Sequence, residues 1–436
     1  MNQNKENHQN FYYPLTGGKA ASETSFGLNL FALLVATLVL IPFRLFEYDN
    51  YTNLFILFAV VVTAVTVLTE YLLYPRTSPL RRWKVCRRAD WRRIVYKELA
   101  LLVTFGIIGL IYFLFPMFSY NDFTLQYFPF LKAIMPYIVA GSIPYFYLMD
   151  RIDPDPNDSY YKVGYAITHL KKTMTRFELG NYARSWLVKA FWLSLMQPAM
   201  IVKIRWLITY NWDMMRGNPV EWFWTANVIC FFIDLAYASV GYMMNLKLFN
   251  TQTRTAEPTF FGWFVAIMCY WPFWQVLFYP FFLKYEGVNW LKTFEPGSFL
   301  FFTWFAVIIA LEFLYAMATV SAGIRFSNVT YRGLWNTGLY RYTKHPAYVF
   351  KNISWWFISM PFLMAGASTA IKCSLLLFGI NIVYYLRAKT EERHLSHYPE
   401  YEAYALEMNK KSIFRWCAQL LPFLKYKPLA DKDRIF

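Results

Sequence analysis

Residues 27–46 read GLNLFALLVATLVLIPFRLF. Twenty residues with one charged side chain, Arg44, are long and apolar enough to cross the hydrocarbon core of a bilayer as one helix. Nine further stretches read the same way: 52–74, 99–118, 131–149, 190–210, 222–244, 260–283, 298–323, 348–364 and 370–386. The stretch at 190–210 is the weakest. It holds Gln197, Pro198, Lys203 and Arg205, and by itself it resembles an interfacial helix.

Composition supports a membrane chain. Of 436 residues, 57% are hydrophobic and only 16% charged, against about 25% charged in soluble domains. The same figures exclude disorder, and ordinary Gly and Pro exclude a collagen-like chain. The net charge of +16 is read as basic loops on the cytoplasmic face, not as a nucleic-acid footprint.

The loops set the expected topology. Residues 76–97 carry nine Lys and Arg against one Asp, and 151–189 and 325–344 are basic too. The connections at 47–50 and 120–130 have neither Lys nor Arg. Ten crossings put every basic loop and both termini in the cytoplasm. The expected fold is therefore an all-α, polytopic membrane bundle of about ten helices, ending in a helical hairpin with a cytosolic pocket. It divides into a polar tail, 1–26, a membrane region, 27–324, with basic loops at 75–98 and 150–189, and a C-terminal core, 325–436. The expected location is a bacterial inner membrane.

Several chemistries are excluded. The five Cys are scattered with no CxxC, so neither a disulfide framework nor a zinc site is indicated. No P-loop, nucleotide fingerprint or HExxH is present. Acids within the spans are few: Glu70, Asp234 and Glu312. Such groups mark a pathway by default or bond a neighbouring helix.

The unusual stretch is 325–346, RFSNVTYRGLWNTGLYRYTKHP. Two short apolar segments follow, then LRAKTEERHLSHYPEYEAY from residue 386. Arg387 and Glu391 lie four apart, on one helix face. A hairpin returns Glu391 to the surface that holds His345. Spacing alone leaves two readings open: a ligand site at a membrane mouth, or a basic loop on anionic lipid with Arg387–Glu391 as a surface ion pair.

TGLYRYTKHPAYVF at 337–350, RAKTEE at 387–392 and PEYEAY at 399–404 resemble the isoprenylcysteine carboxyl methyltransferase family. Its C-terminal core is shared with bacterial integral-membrane methyltransferases and phospholipid N-methyltransferases. The resemblance runs from Tyr331 to about Ile413. It implies S-adenosylmethionine bound from the cytosol and a lipid-like or prenylated acceptor entering from the bilayer. By position, Arg332 to Trp335 would line the cofactor pocket and Tyr340 would touch the cofactor. His345, Pro346, Ala347 and Tyr348 would wrap it, Glu391 would bind it, and Arg387 would face the acceptor. Lys344 stands where the family usually has Arg, and Phe350 where it usually has Gly.

Residue chemistry suits these roles. Glu391 can take an amine or a ribose diol, and Lys344 or His345 a carboxylate. Tyr340 and Tyr348 offer faces for adenine or a sulfonium. A carboxylate acceptor needs only positioning by Arg387, whereas an amine needs a base, Glu392 or His394. Two alternatives remain: an NADPH-dependent reductase of the sterol type, and a non-catalytic membrane protein that binds lipid or a partner.

Overall fold

Where a helix starts is set by local chemistry. Thr175 and Glu178 form a reciprocal capping box, Thr175 Oγ1 accepting from Glu178 N at 3.1 Å and Glu178 Oε2 from Thr175 N at 2.8 Å. It opens a 34-residue helix through the stretch that read as weakest. Asn218 caps a helix that begins with Pro219, and Ser298 caps another.

The computed structural model describes residues 22–73, 83–115, 127–276, 279, 290–363 and 366–430. The expected tail up to residue 21, residues 74–82 of the first basic loop, 116–126, the end of the 260–283 stretch, residues 364–365 and residues 431–436 of the expected C-terminal core lie outside the described residues. The helices are α1 Phe26–Leu45, α2 Tyr51–Leu73, α3 Trp91–Leu114, α4 Tyr127–Ile152, α5 Ser159–His169, α6 Arg176–Thr209, α7 Pro219–Met243, α8 Phe260–Ile267, α9 Trp290–Thr293, α10 Phe299–Ala322, α11 Pro346–Ser359, α12 Ala367–Leu395, α13 Pro399–Lys411 and α14 Arg415–Leu420. A two-stranded antiparallel ladder, β1 Thr255–Ala256 with β2 Thr330–Tyr331, pairs Thr255 with Tyr331. The chain is an all-α polytopic membrane protein.

Seven helices among the described residues are long and apolar enough to cross a bilayer: α1, α2, α3, α6, α7, α10 with its following turn, and α12. Three expected spans are not among them. The 131–149 stretch lies in α4, which carries Pro136 and Pro144 and is less apolar. The 260–283 stretch holds the eight-residue α8, and 348–364 the fourteen-residue α11. At 1.5 Å per residue, fourteen residues reach about 21 Å, short of the roughly 30 Å core. This corrects the expected location of the ends. Seven such helices among the described residues are an odd number, which implies ends on opposite faces and overturns the placing of both termini in the cytoplasm.

The main core joins α1, α2, α6, α7 and α10 through Leu33, Phe55, Phe58, Met200, Ile204, Phe232, Tyr237 and Val320. Gly323, at φ +58, ends α10 where a Cβ would strike the Asn29 amide. That amide donates to Val320 O at 2.9 Å and ties α1 to α10. Just beyond, buried Arg325 pairs with Glu70 of α2 at 3.3 Å.

Two features position the C-terminal region. Residues 22–26 dock on the 333–337 loop, Glu23 N donating to Leu334 O at 2.8 Å and Phe26 N to Thr337 Oγ1 at 3.1 Å. Glu23 also pairs with Arg254 at 2.6 Å, just before β1. Inside the bundle, Asn381 of α12 donates to Asn352 of α11 at 2.6 Å and accepts from Trp356 Nε1 at 2.9 Å.

Candidate functional site

The site forms where the N-terminus of α11 meets the last two turns of α12. Pro346 opens α11, where its missing N–H breaks no helical bond. One turn on, Tyr348 lies parallel to His345, ring centres 5.5 Å apart and planes 5° from parallel. Across from them, α12 presents Arg387, Glu391 and Glu392.

The two glutamates are treated differently. Glu392 is 7% exposed and meets two lysines and an imidazole: Lys344 at 2.6 Å and His345 Nε2 at 3.2 Å on one oxygen, Lys389 at 2.8 Å on the other. Glu391 is 36% exposed, accepts from Tyr348 OH at 2.8 Å, and lies 3.9 Å from His345 Nδ1. Burial pulls Lys344 below the usual lysine range, even with Glu392 beside it.

Arg387 is 6% exposed. Its Nη2 donates to Asn328 Oδ1 at 2.6 Å, and its guanidinium carbon lies 4.9 Å from the Tyr348 ring, 5.4 Å from Tyr270 and 5.9 Å from Tyr384. Among the described residues no ion pair joins it to Glu391, so the surface-pair reading does not hold. Two adjoining cavities meet here. A narrow one of about 20 Å³ is lined by Tyr348, Arg387, Glu391, His394 and Glu257, among others. A wider one of about 290 Å³ shares Glu257 and His394 and adds Arg393, His397 and Thr259.

A tyrosine brace holds the loop before α11. Tyr331 stacks on Tyr398 at 3.8 Å and donates to Glu400 at 2.6 Å, while Tyr404 OH of α13 donates to Tyr340 O at 2.7 Å. Burial and the Glu400 charge push the Tyr331 hydroxyl well above its usual range. Thr255 Oγ1 lies 2.9 Å from His394 Nε2 and 2.7 Å from Tyr398 OH, so β1 is part of the same frame.

The structure thus brings Lys344, His345, Pro346, Ala347, Tyr348, Arg387, Glu391 and Glu392 together, with Tyr340 and Trp335 in edge-to-face contact at 6.4 Å on the braced loop. Two expected roles meet a different geometry. Arg332 is fully buried and donates to the carbonyls of Thr251, Gly241, Phe326 and Met244 at 2.5–3.0 Å, which leaves it a backbone clamp and not a pocket wall. Burial, with Arg325 nearby, lowers it to about 9, so it stays cationic at neutral pH. Glu392 was expected as a base, but cations occupy both its oxygens. Asn328, Tyr270, Glu257 and Lys389 were not expected. Asn328 stood in the quoted polar stretch, and Lys389 inside the RAKTEE motif. Glu257 and Tyr270 lie before and after α8, far along the chain from the motifs, and carry no local signal.

Residues 302–397 match the isoprenylcysteine carboxyl methyltransferase (ICMT) family. The match begins inside α10 and ends before α13, so it contains α11, α12 and the paired glutamates. No curated protein and no solved structure matches the chain. The matched region implies methyltransferase activity on a membrane-associated substrate, with S-adenosylmethionine as the family's usual cofactor.

Proposed function

We propose that this chain is an integral membrane methyltransferase. It uses S-adenosylmethionine and acts at the cytoplasmic membrane face on a lipid-like or prenyl-linked acceptor from the bilayer, with a carboxyl group the favoured target. The observation that carries this reading is Glu391. It is a part-exposed carboxylate, oriented by Tyr348, on the wall of the narrow cavity and one helical turn from Arg387.

The residues present fit the cofactor. Glu391 can accept from its amine or ribose hydroxyls. The His345 and Tyr348 rings offer faces for its adenine or sulfonium, and Arg393, in the wider cavity, offers a fork for its carboxylate. When bound, the cofactor supplies an electrophilic methyl group. Glu392, held by Lys344, His345 and Lys389, fixes the Lys344–His345 turn against α12 and takes no proton. Arg387 orients an acceptor oxygen from beneath. Alignment of donor and acceptor is then the main source of acceleration, and a carboxylate acceptor needs no base.

Calorimetry on the purified protein tests the reading. S-adenosylmethionine and its demethylated product should bind at least tenfold more tightly than NADPH. Equal or tighter binding of NADPH would overturn it in favour of a reductase.

A further inference from the structure

The segment before α1 braces the loop that leads into the site, although it lies far outside the matched residues 302–397. Three hydrogen bonds tie residues 22–26 to 333–337. Glu23 N donates to Leu334 O at 2.8 Å, Asn336 N to Ser22 Oγ at 3.3 Å and Phe26 N to Thr337 Oγ1 at 3.1 Å. Two glycines are shaped to this contact. Gly333 has φ +107, and a Cβ there would stand 2.6 Å from the Glu23 carboxyl carbon. Gly338 has φ +57, and a Cβ there would stand 2.8 Å from the Phe26 ring. Glycine is the residue that tolerates both the backbone angle and the close approach.

Glu23 is the charged member of the contact. Its side chain is 4% exposed. It accepts from Arg254 Nη2 at 2.6 and 2.8 Å and from Asn250 Nδ2 at 3.1 Å. Arg254 in turn donates its backbone N–H to Tyr331 O at 2.9 Å, and its guanidinium carbon lies 5.4 Å from the Tyr331 ring centre. The next residue, Thr255, opens β1 and reaches His394 of α12. One carboxylate therefore joins the loop that carries Trp335 and Tyr340 to the strand that meets α12. Those two rings are the ones that the resemblance puts beside the cofactor. A buried pair of this kind adds little net stability, and its better-attested use is to fix register.

We propose that Glu23 is a positioning residue for the cofactor. It acts through Arg254 and the 333–337 loop to hold Trp335 and Tyr340 in place. The inference rests on the methyltransferase reading, and it extends the working unit of the site to a segment that the sequence pattern marks only as a polar tail.

The test uses the full chain in a neutral detergent, with Glu23→Gln, Arg254→Gln, the double variant and Glu23→Asp. Calorimetry with S-adenosylmethionine reads affinity and stoichiometry separately. Hydrogen–deuterium exchange of the cofactor-free protein reads the opening of 333–340. Glu23→Gln should weaken binding about tenfold at unchanged stoichiometry, because the loop is no longer pre-organised. Exchange across 333–340 should rise while that of α2 stays the same. Arg254→Gln should match it, and the double variant should be no weaker than either single one, since all three break one pair. Glu23→Asp keeps the charge and should weaken binding by only about threefold, a partial rescue. A merely structural brace would lower the folded fraction, and so the stoichiometry, and leave the affinity of the folded protein unchanged. That result, or unchanged affinity and exchange in Glu23→Gln, would overturn the proposal. If Glu23→Gln does not fold, Glu23→Asp decides: weaker binding at full stoichiometry supports the role, and wild-type affinity ends it. A wild type that does not bind S-adenosylmethionine removes the methyltransferase reading and the proposal together. A wild type that binds it, with every variant equal to it, removes the role of Glu23 alone.

Discussion

Glu392 and Arg387 sit little more than one turn apart on α12 and bury charge in opposite ways. Glu392 is enclosed by Lys344, His345 and Lys389, two lysines and an imidazole on two oxygens. Arg387 has ring faces and one neutral amide. The outer group is fully answered by protein and so builds the mouth. The inner one is answered only in part, which leaves it able to meet a ligand. A buried charge whose partners are all in place contributes construction, and removing one partner exposes the cost of the others.

The largest effect should come from breaking the inner arrangement. Arg387→Ala is expected to lower methyl transfer by at least about a hundredfold, the scale for lost positioning of a reacting group. Affinity for S-adenosylmethionine should stay within about twofold, because Glu391 and not Arg387 is assigned to the cofactor. Arg387→Lys should recover little, since a point charge does not reproduce a fork. Paired calorimetry and turnover assays check this, and a parallel loss of binding and activity would erase the division between the two groups.

The outer arrangement should fail by unfolding. Glu392→Gln leaves Lys344 and Lys389 without a carboxylate and should cost about 3 kcal/mol. A thermal melt in detergent reads this as a lower midpoint with or without ligand. If the loss appeared only in cofactor affinity, Glu392 would be a ligand and the comparison would collapse. Glu391→Ala is expected to do the reverse. It should weaken S-adenosylmethionine by about 1–3 kcal/mol, the range for losing a partner of a polar or charged group. Its melting midpoint without ligand should change little, as its side chain is 36% exposed.

Parts of this arrangement were legible in the chain. The spans at 27–46 and 52–74 became α1 and α2 within a residue or so, because long apolar runs leave a helix no competitor in a bilayer. The 348–364 stretch misled because apolarity does not encode where a helix stops. There α11 ends at Met360, at φ +45, just before Pro361, and that proline was the available signal. In the site, motif order placed His345 beside the glutamates. It misplaced Arg332, whose role depends on four carbonyls from residues 241, 244, 251 and 326, contacts that no local pattern contains.

The smallest effect should come from Lys344→Arg, which restores the residue the resemblance leads one to expect. An arginine gains over lysine when its two parallel donors can meet both oxygens of one carboxylate. At Glu392 that opportunity is absent. One oxygen is shared by Lys344 at 2.6 Å and His345 at 3.2 Å, and the other is taken by Lys389 at 2.8 Å. A guanidinium can therefore replace the Lys344 contact but add no second one without displacing Lys389. The flat group can also keep the contact with Tyr426, whose ring centre lies 5.4 Å from the lysine nitrogen. Cofactor affinity should stay within about twofold and stability within about 0.5 kcal/mol, the usual range for changes that break no buried feature. A gain of tenfold or more would mean that the carboxylate frees an oxygen when ligand binds, and that the outer cluster rearranges during the reaction instead of standing as a fixed frame.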